Sequence, residues 1–258
     1  MVLIEFPSSD NPVKGYFFPA SRQPIIATVI FLQGFPGIEG DELICERLAR
    51  GCVNVLTFNY RGTFQSKGFF SFSNAIADIG AALRFVKQPH TVDKYQIDPA
   101  KIVLGGWSFG SGIMPAGAAQ YSEIKKIFMI SGRDFCKEAL KIQQNPEYAK
   151  EVSENLENIR SPKGPVLFRD DLLSDLVDNR AIFDIDYLSL ILRDRGILLI
   201  GGWDDSVNSI EDYILPFYRA LVKNKAVNIK IEALQDDHEF LNSRDRLVKI
   251  ITDWLNRE

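Results

Sequence analysis

Ser108 sits in Gly106-Trp107-Ser108-Phe109-Gly110, a G-x-S-x-G pattern in which a tight strand-to-helix turn holds a serine up as a nucleophile. The preceding Ile102-Val103-Leu104 reads as a buried strand, and the small apolar residues after Gly110 read as a helix. Glycine is expected two positions before and two after the serine, because so sharp a turn leaves no room for side chains there. A serine hydroxyl is a poor nucleophile near neutral pH and needs a base within hydrogen-bond reach. The chain has two histidines. His90, in Lys87-Gln-Pro-His-Thr91, lies upstream in a polar stretch and reads as a solvated loop residue. His238, in Gln235-Asp-Asp-His-Glu-Phe240, follows both the serine and the last predicted strand, and is the expected base.

A base of this kind needs a carboxylate to fix its tautomer and to stabilise the imidazolium that forms. Gly201-Gly-Trp-Asp-Asp-Ser-Val207 supplies two candidates at the end of a predicted strand. Adjacent residues diverge, so both cannot face His238; Asp205 is favoured, with Asp204 as the alternative. Asp236 and Asp237 read as solvated. The developing oxyanion needs two backbone N–H groups. One belongs to Phe109, the residue after the serine; the other is assigned to Phe35 in the Gln33-Gly-Phe-Pro-Gly37 loop. Trp107 and Phe109 flank the serine and are expected to pack in the core, with lining of the acyl pocket as the alternative.

Around these residues the elements alternate. Val2–Phe6 and Val13–Phe18 read as an antiparallel pair, and Ile25–Leu32 and Val53–Phe58 as buried strands. Helical spacing marks 41–50, 74–88 and the segment from the serine to about 121; Lys126–Ile130 is the next strand. From 132 to 195 glycine becomes scarce and charge rises, with helical spacing over 139–159 and 172–182, and Pro162 and Pro165 between. Strand Gly196–Gly202, a helix over about 209–223, strand Val227–Ala233 and an amphipathic helix Arg244–Asn256 complete the chain. The pattern predicts an α/β fold, with a mostly parallel sheet and helices on both faces. Residues 1–131 and 196–258 would form its core, and 132–195 a helical cap or lid over the strands' C-terminal ends.

Composition narrows the function. At 258 residues, with 46% hydrophobic and 25% charged residues, the chain can bury a large core. A net charge of −4 without a dense basic run excludes nucleic acid and anionic membranes as natural partners. No apolar run approaches a membrane span, and the N-terminus lacks the pattern of a signal peptide. Cys45, Cys52 and Cys136 lack the spacing of a disulfide framework or zinc site and read as thiols in a reducing, cytoplasmic setting. Oligomeric state leaves no signal.

The order Ser108, Asp204 or Asp205, His238, together with the Gln33–Gly37 loop, resembles the α/β-hydrolase superfamily along nearly the whole chain. Tyr60-Arg-Gly62 with Ser66 and Gly68 is similar to the family's R-G-x-G-x-S-x-G loop. Gln96-Ile-Asp-Pro-Ala-Lys-Ile102 resembles the approach to the nucleophile in prolyl-oligopeptidase-like and dienelactone-hydrolase-like branches. Gln33 stands where the family usually has histidine, and Thr63-Phe64 where a second glycine is usual. The resemblance implies a serine hydrolase, foremost a carboxylesterase, acting on a small-molecule ester, thioester or amide without cofactor or metal. An acyltransferase, a peptidase and a non-catalytic binder on the same fold are the alternatives. Arg133, Arg160 and Arg169 in the insertion are the residues that could favour an anionic substrate.

Overall fold

A computed structural model describes residues 1–37, 39–159, 161 and 163–257. Arg160 and Pro162, both singled out above, lie outside the described residues. The chain opens with β1 (Val2–Ser8), β2 (Asn11–Phe18) and β3 (Ala27–Leu32), then α1 (Glu39–Ala49) and β4 (Val53–Phe58). Next come α2 (Phe72–Val86), α3 (Pro89–Tyr95), β5 (Ile102–Trp107), α4 (Phe109–Ala119) and β6 (Lys126–Ile130). Four helices follow: α5 (Phe135–Gln144), α6 (Pro146–Glu157), α7 (Leu172–Asp178) and α8 (Ile185–Leu192). The chain closes with β7 (Gly196–Gly202), α9 (Ile214–Lys223), β8 (Ile229–Leu234) and α10 (Arg244–Leu255).

The eight strands form one sheet in the order β1-β2-β4-β3-β5-β6-β7-β8. The β1–β2 hairpin pairs antiparallel with β4, and every later pairing is parallel. β3, β4, β5 and β7 are buried at every residue, which is why they read as continuous apolar runs rather than alternating ones. Period two then sorts their side chains: Ile30 and Leu32 enter the cluster with α2, α4 and α9, whereas Val29 and Phe31 join α1 and α10 on the opposite face.

The predicted architecture is therefore present, with local corrections. His90 lies in α3, not in a loop, although it is exposed as expected. Proline at the first position of that helix was its sequence signal. The helical spacing over 139–159 is two helices. Asn145 ends α5 and caps α6, accepting the Tyr148 N–H at 3.1 Å, and Pro146 starts the new helix. The helix expected from about 209 begins at Ile214, after a run of turns.

Segment 132–195 divides between two places. α5 packs on α6 and α7, and α7 on α2, over the C-terminal edge of the sheet. α8 instead packs against α4 and α9, as the crossover that a parallel β6–β7 pair requires. Two isolated bridges, Thr63 with Val166 and Phe70 with Phe168, join the insertion to the loop after β4.

That loop is fixed from beneath by a buried charge. Asp78 of α2 accepts from Ser8 Oγ (2.5 Å), Arg61 Nε (2.6 Å) and the Arg61 N–H (2.8 Å). Arg61 also donates through Nη2 to Asn74 O at 2.9 Å. Asp78 is fully buried and Arg61 nearly so, and removing one partner leaves the other charge unpaired. Asp78→Ala is expected to cost about 3–5 kcal/mol of stability, read from the midpoint of urea unfolding. An unchanged midpoint would show that the pair contributes nothing net.

Candidate active site

Ser108 stands at the junction of β5 and α4 with φ 51° and ψ −113°, a conformation L-residues rarely adopt. Neighbouring contacts hold it there. Its N–H donates to Ile130 O of β6 (2.8 Å), and the Ser111 hydroxyl donates to Gly106 O (2.5 Å) while accepting the Ile130 N–H (2.8 Å). A Cβ at Gly110 would lie 2.1 Å from Leu32 O at the end of β3, and one at Gly106 2.7 Å from the Gly110 carbonyl carbon. The two glycines thus let three segments of backbone meet under the serine. Trp107 and Phe109 are buried on either side of it, as expected.

The structure brings Asp205 and His238 together. Asp205 lies in the turn after β7, and its Oδ2 is 2.8 Å from His238 Nδ1. Its Oδ1 accepts the N–H groups of Val207 (2.9 Å) and Asn208 (2.8 Å), so one oxygen shapes the turn and the other faces the imidazole. Burial works to raise the Asp205 pKa. The hydrogen bonds from His238 and the Asn208 N–H outweigh it and leave the carboxyl below its ordinary range. An ionised Oδ2 can only accept, which places the proton on Nδ1 and leaves Nε2 free as a base. Asp204 points away: it is exposed and accepts from Gln235 Nε2 at 2.7 Å.

Asp236 corrects the sequence reading. It is buried, not solvated, and accepts from Ser243 Oγ (2.6 Å), Ser243 N–H (2.7 Å) and the Asp237 N–H (3.0 Å). These bonds fold the loop that carries His238 onto the start of α10. Burial alone would raise its pKa, and the hydrogen bonds led by Ser243 bring it below the usual carboxylate range instead. Asp237 is exposed as expected. A residue the sequence did not reveal is Asn208. Its Nδ2 donates to Ser131 O (2.9 Å) and approaches Ser108 Oγ at 3.4 Å. Its only signal was its place three residues after Asp205. Ser108 Oγ makes no hydrogen bond to His238 among the described residues.

The loop after β3 borders the same space. Gln33 is buried, its side chain donating through Nε2 to Phe58 O (3.0 Å) and its backbone carbonyl accepting from Tyr60 Oη (3.0 Å). The side chain is therefore a strut to β4, and the backbone carbonyl ties in the loop beyond it. Gly34 and Phe35 face a cavity of about 570 Å³ shared with Ser108, Phe109 and His238. The Phe109 N–H belongs to the first turn of α4, where amides lack a partner within the helix. α5, α6 and α7 form the far wall of this cavity. Arg133 also lines it, but its Nη2 donates to Glu138 Oε2 at 2.9 Å. Arg169 pairs with Asp171 away from the cavity. Cys52 and Cys136 are free thiols, and no helix among the described residues is long and apolar enough to cross a membrane.

No protein-family model matches the chain. Solved structures do, over nearly the full length of both chains. Est1E of Butyrivibrio proteoclasticus, in its structure with ferulic acid, superposes at a TM-score of 0.72 with 16% identity, over 98% of this chain and 97% of that one. The chain has the α/β-hydrolase fold. An esterase domain from a Rhodothermus marinus protein matches this hydrolase fold at 0.67 with 17% identity, over 98% and 96%. The Pyrococcus furiosus esterase Pf2001 matches it at 0.69 with 17% identity, over 99% and 90%. In sequence, the Escherichia coli K12 protein YfhR, itself uncharacterised, is 32% identical over 112 residues, 42% of this chain. That match spans 38% of YfhR's own length.

The lowered pKa of Asp236 has a consequence for acid stability. A carboxyl held below its unfolded value contributes stability that is present above about pH 4 and is lost as pH falls through the folded value. Asp236→Asn removes that contribution, so its unfolding free energy should fall less steeply below about pH 4 than that of the native protein. Parallel acid limbs in denaturant titrations would contradict the role given to the Asp236 hydrogen bonds.

Proposed function

We propose that this chain is a serine hydrolase, a carboxylesterase that works through an acyl-enzyme on Ser108. The observation that carries the reading is the 2.8 Å contact of His238 Nδ1 with the buried Asp205, in the cavity that Ser108 borders from its strained turn. In this mechanism Ser108 Oγ attacks the ester carbonyl carbon while its proton passes to His238 Nε2. The N–H groups of Phe35 and Phe109 receive the oxyanion, and Asp205 stabilises the imidazolium. The tetrahedral intermediate expels the alcohol, which takes the proton back from His238. Water, deprotonated by the same nitrogen, then attacks the acyl carbon and returns Ser108 as its hydroxyl. The Ser108–His238 hydrogen bond belongs to the substrate complex, where such contacts commonly tighten.

In this account Asn208 steadies the Ser108 oxygen and leaves its hydrogen free for His238. α5, α6 and α7 act as the cap, which is the part of 132–195 that overlies the cavity. The free thiols suit a reducing, cytoplasmic setting.

A fluorophosphonate probe should label the folded protein at Ser108 and fail on Ser108→Ala. Absence of labelling on folded protein would sink the enzyme reading in favour of a fold used only for binding. Asp205→Asn should lower kcat for a p-nitrophenyl ester by roughly a thousand- to ten-thousand-fold. Asp204→Asn should stay within about twofold of the native protein, because its carboxylate bonds only on the surface; the reverse ranking would overturn the choice of acid.

A further inference from the structure

Five phenylalanines pack ring against ring, tilted or edge to face, along one side of the cavity: Phe35, Phe70, Phe72, Phe109 and Phe135. Phe35 and Phe70 have centroids 4.4 Å apart, Phe70 and Phe109 5.4 Å, Phe109 and Phe135 5.3 Å, and Phe72 and Phe135 5.0 Å. They come from the loops after β3 and β4, from α2, and from the starts of α4 and α5, so the wall is continuous from the Phe35 backbone to the insertion.

The sheet order fixes which part of a substrate meets that wall. His238 follows β8, at one end of the sheet, whereas Phe35 and Phe70 follow β3 and β4 on the other side of β5. A leaving alcohol must take its proton from His238 and so lies toward β7 and β8. The acyl substituent is then expected to point the opposite way, toward Phe35 and Phe70, where the phenylalanine wall begins.

Part of the far wall is α6, which packs on α5 and is otherwise lightly covered. Among the described residues, α6 has none that is buried. Its apolar residues Val152 and Leu156, four apart on one face, line the cavity and are only partly covered. Charge on the wall does not favour an anion: Arg133, the one Lys or Arg among the lining residues, bonds Glu138 at 2.9 Å beside Tyr148 at 2.7 Å, and the other charged lining residues, Glu151 and Glu239, are acidic.

We infer that the site selects an apolar, uncharged acyl group much larger than acetyl, held between the five phenylalanines and the Val152–Leu156 face of α6. The inference rests on the acyl-enzyme reading above and goes beyond it to the substrate class. A cavity of about 570 Å³ is within the range that encloses a drug-sized ligand, and an acetyl group leaves most of this apolar wall wet. Each methylene moved from water onto the wall should raise kcat/KM by roughly two- to fourfold until the space is filled. A chain or an aryl-alkyl group would both satisfy the wall.

The test compares p-nitrophenyl acetate, butanoate, octanoate and 3-phenylpropanoate, on the native protein and on Leu156→Gln. It is paired with labelling rates for two phosphonofluoridates bearing methyl or octyl on phosphorus. In labelling, Ser108 Oγ bonds phosphorus, fluoride leaves and His238 takes the proton, so the reagents rank the acyl site even if ester turnover is slow. The octanoate or the phenylpropanoate should exceed the acetate in kcat/KM by at least about tenfold, and the octyl reagent should label faster than the methyl one. Whichever large ester wins names the shape of the group. Leu156→Gln, on a half-covered helix face, should keep the native melting temperature and reduce the octanoate-to-acetate ratio by about tenfold. Equal or faster reaction of the acetate and the methyl reagent would overturn the inference while Ser108 labelling leaves the hydrolase reading standing. Failure of both reagents to label, with no ester cleaved, would remove the hydrolase reading and this inference with it.

Discussion

The close approach of Gly110 to the end of β3 is the constraint on which the rest of the site depends. A side chain there would strike Leu32 O at 2.1 Å, so α4 can start where it does only because residue 110 has none. That contact brings the turn carrying Ser108 against the loop carrying Phe35. The Ser111 hydroxyl joins the same turn to β6 by bonding Gly106 O and the Ile130 N–H. Ser108 is thereby held at φ 51° by three parallel strands, and the strain is borne by packed backbone rather than by a mobile loop.

Asp205 and His238 are positioned by a second, separate device at the other end of the sheet. A Cβ on Gly202 would lie 2.5 Å from Asp236 O, so β7 and β8 can leave the sheet side by side. The Asp204 N–H then donates to Asp236 O at 3.1 Å, tying the Asp205 turn to the His238 loop. Within this frame each carboxylate has one task. Asp236 organises the loop with both oxygens, and Asp205 divides its oxygens between its own turn and His238. Asp204, one residue away, faces water and Gln235.

Elements whose burial matched their pattern were legible in the sequence. β4 and β6 fall at the bounds that their apolar runs predicted, because strands covered on both faces need apolar residues throughout. α8 was not legible. Ile185-Asp-Tyr-Leu-Ser-Leu-Ile-Leu192 is short and apolar on nearly all sides, so it carries no clear period, and Tyr187, Leu190 and Ile191 remain exposed. At the site, Ser108, His238 and Asp205 could be singled out as candidates because the chemistry they would do restricts residue type. Asn208 and Asp236 could not, since a polar residue in a turn looks the same whether it is solvated or buried among backbone amides. The phenylalanine wall was hidden for a different reason: its members lie between positions 35 and 135 and meet only in the folded chain.

The proposed mechanism stands on acylation of Ser108 during turnover. The direct measurement is mass spectrometry of protein quenched with acid while it consumes a p-nitrophenyl ester, followed by peptide mapping. The account predicts the mass of the acyl group on the peptide containing Ser108, absent from Ser108→Ala. Ester turnover with that peptide unmodified, or with the acyl group on another residue, would contradict it.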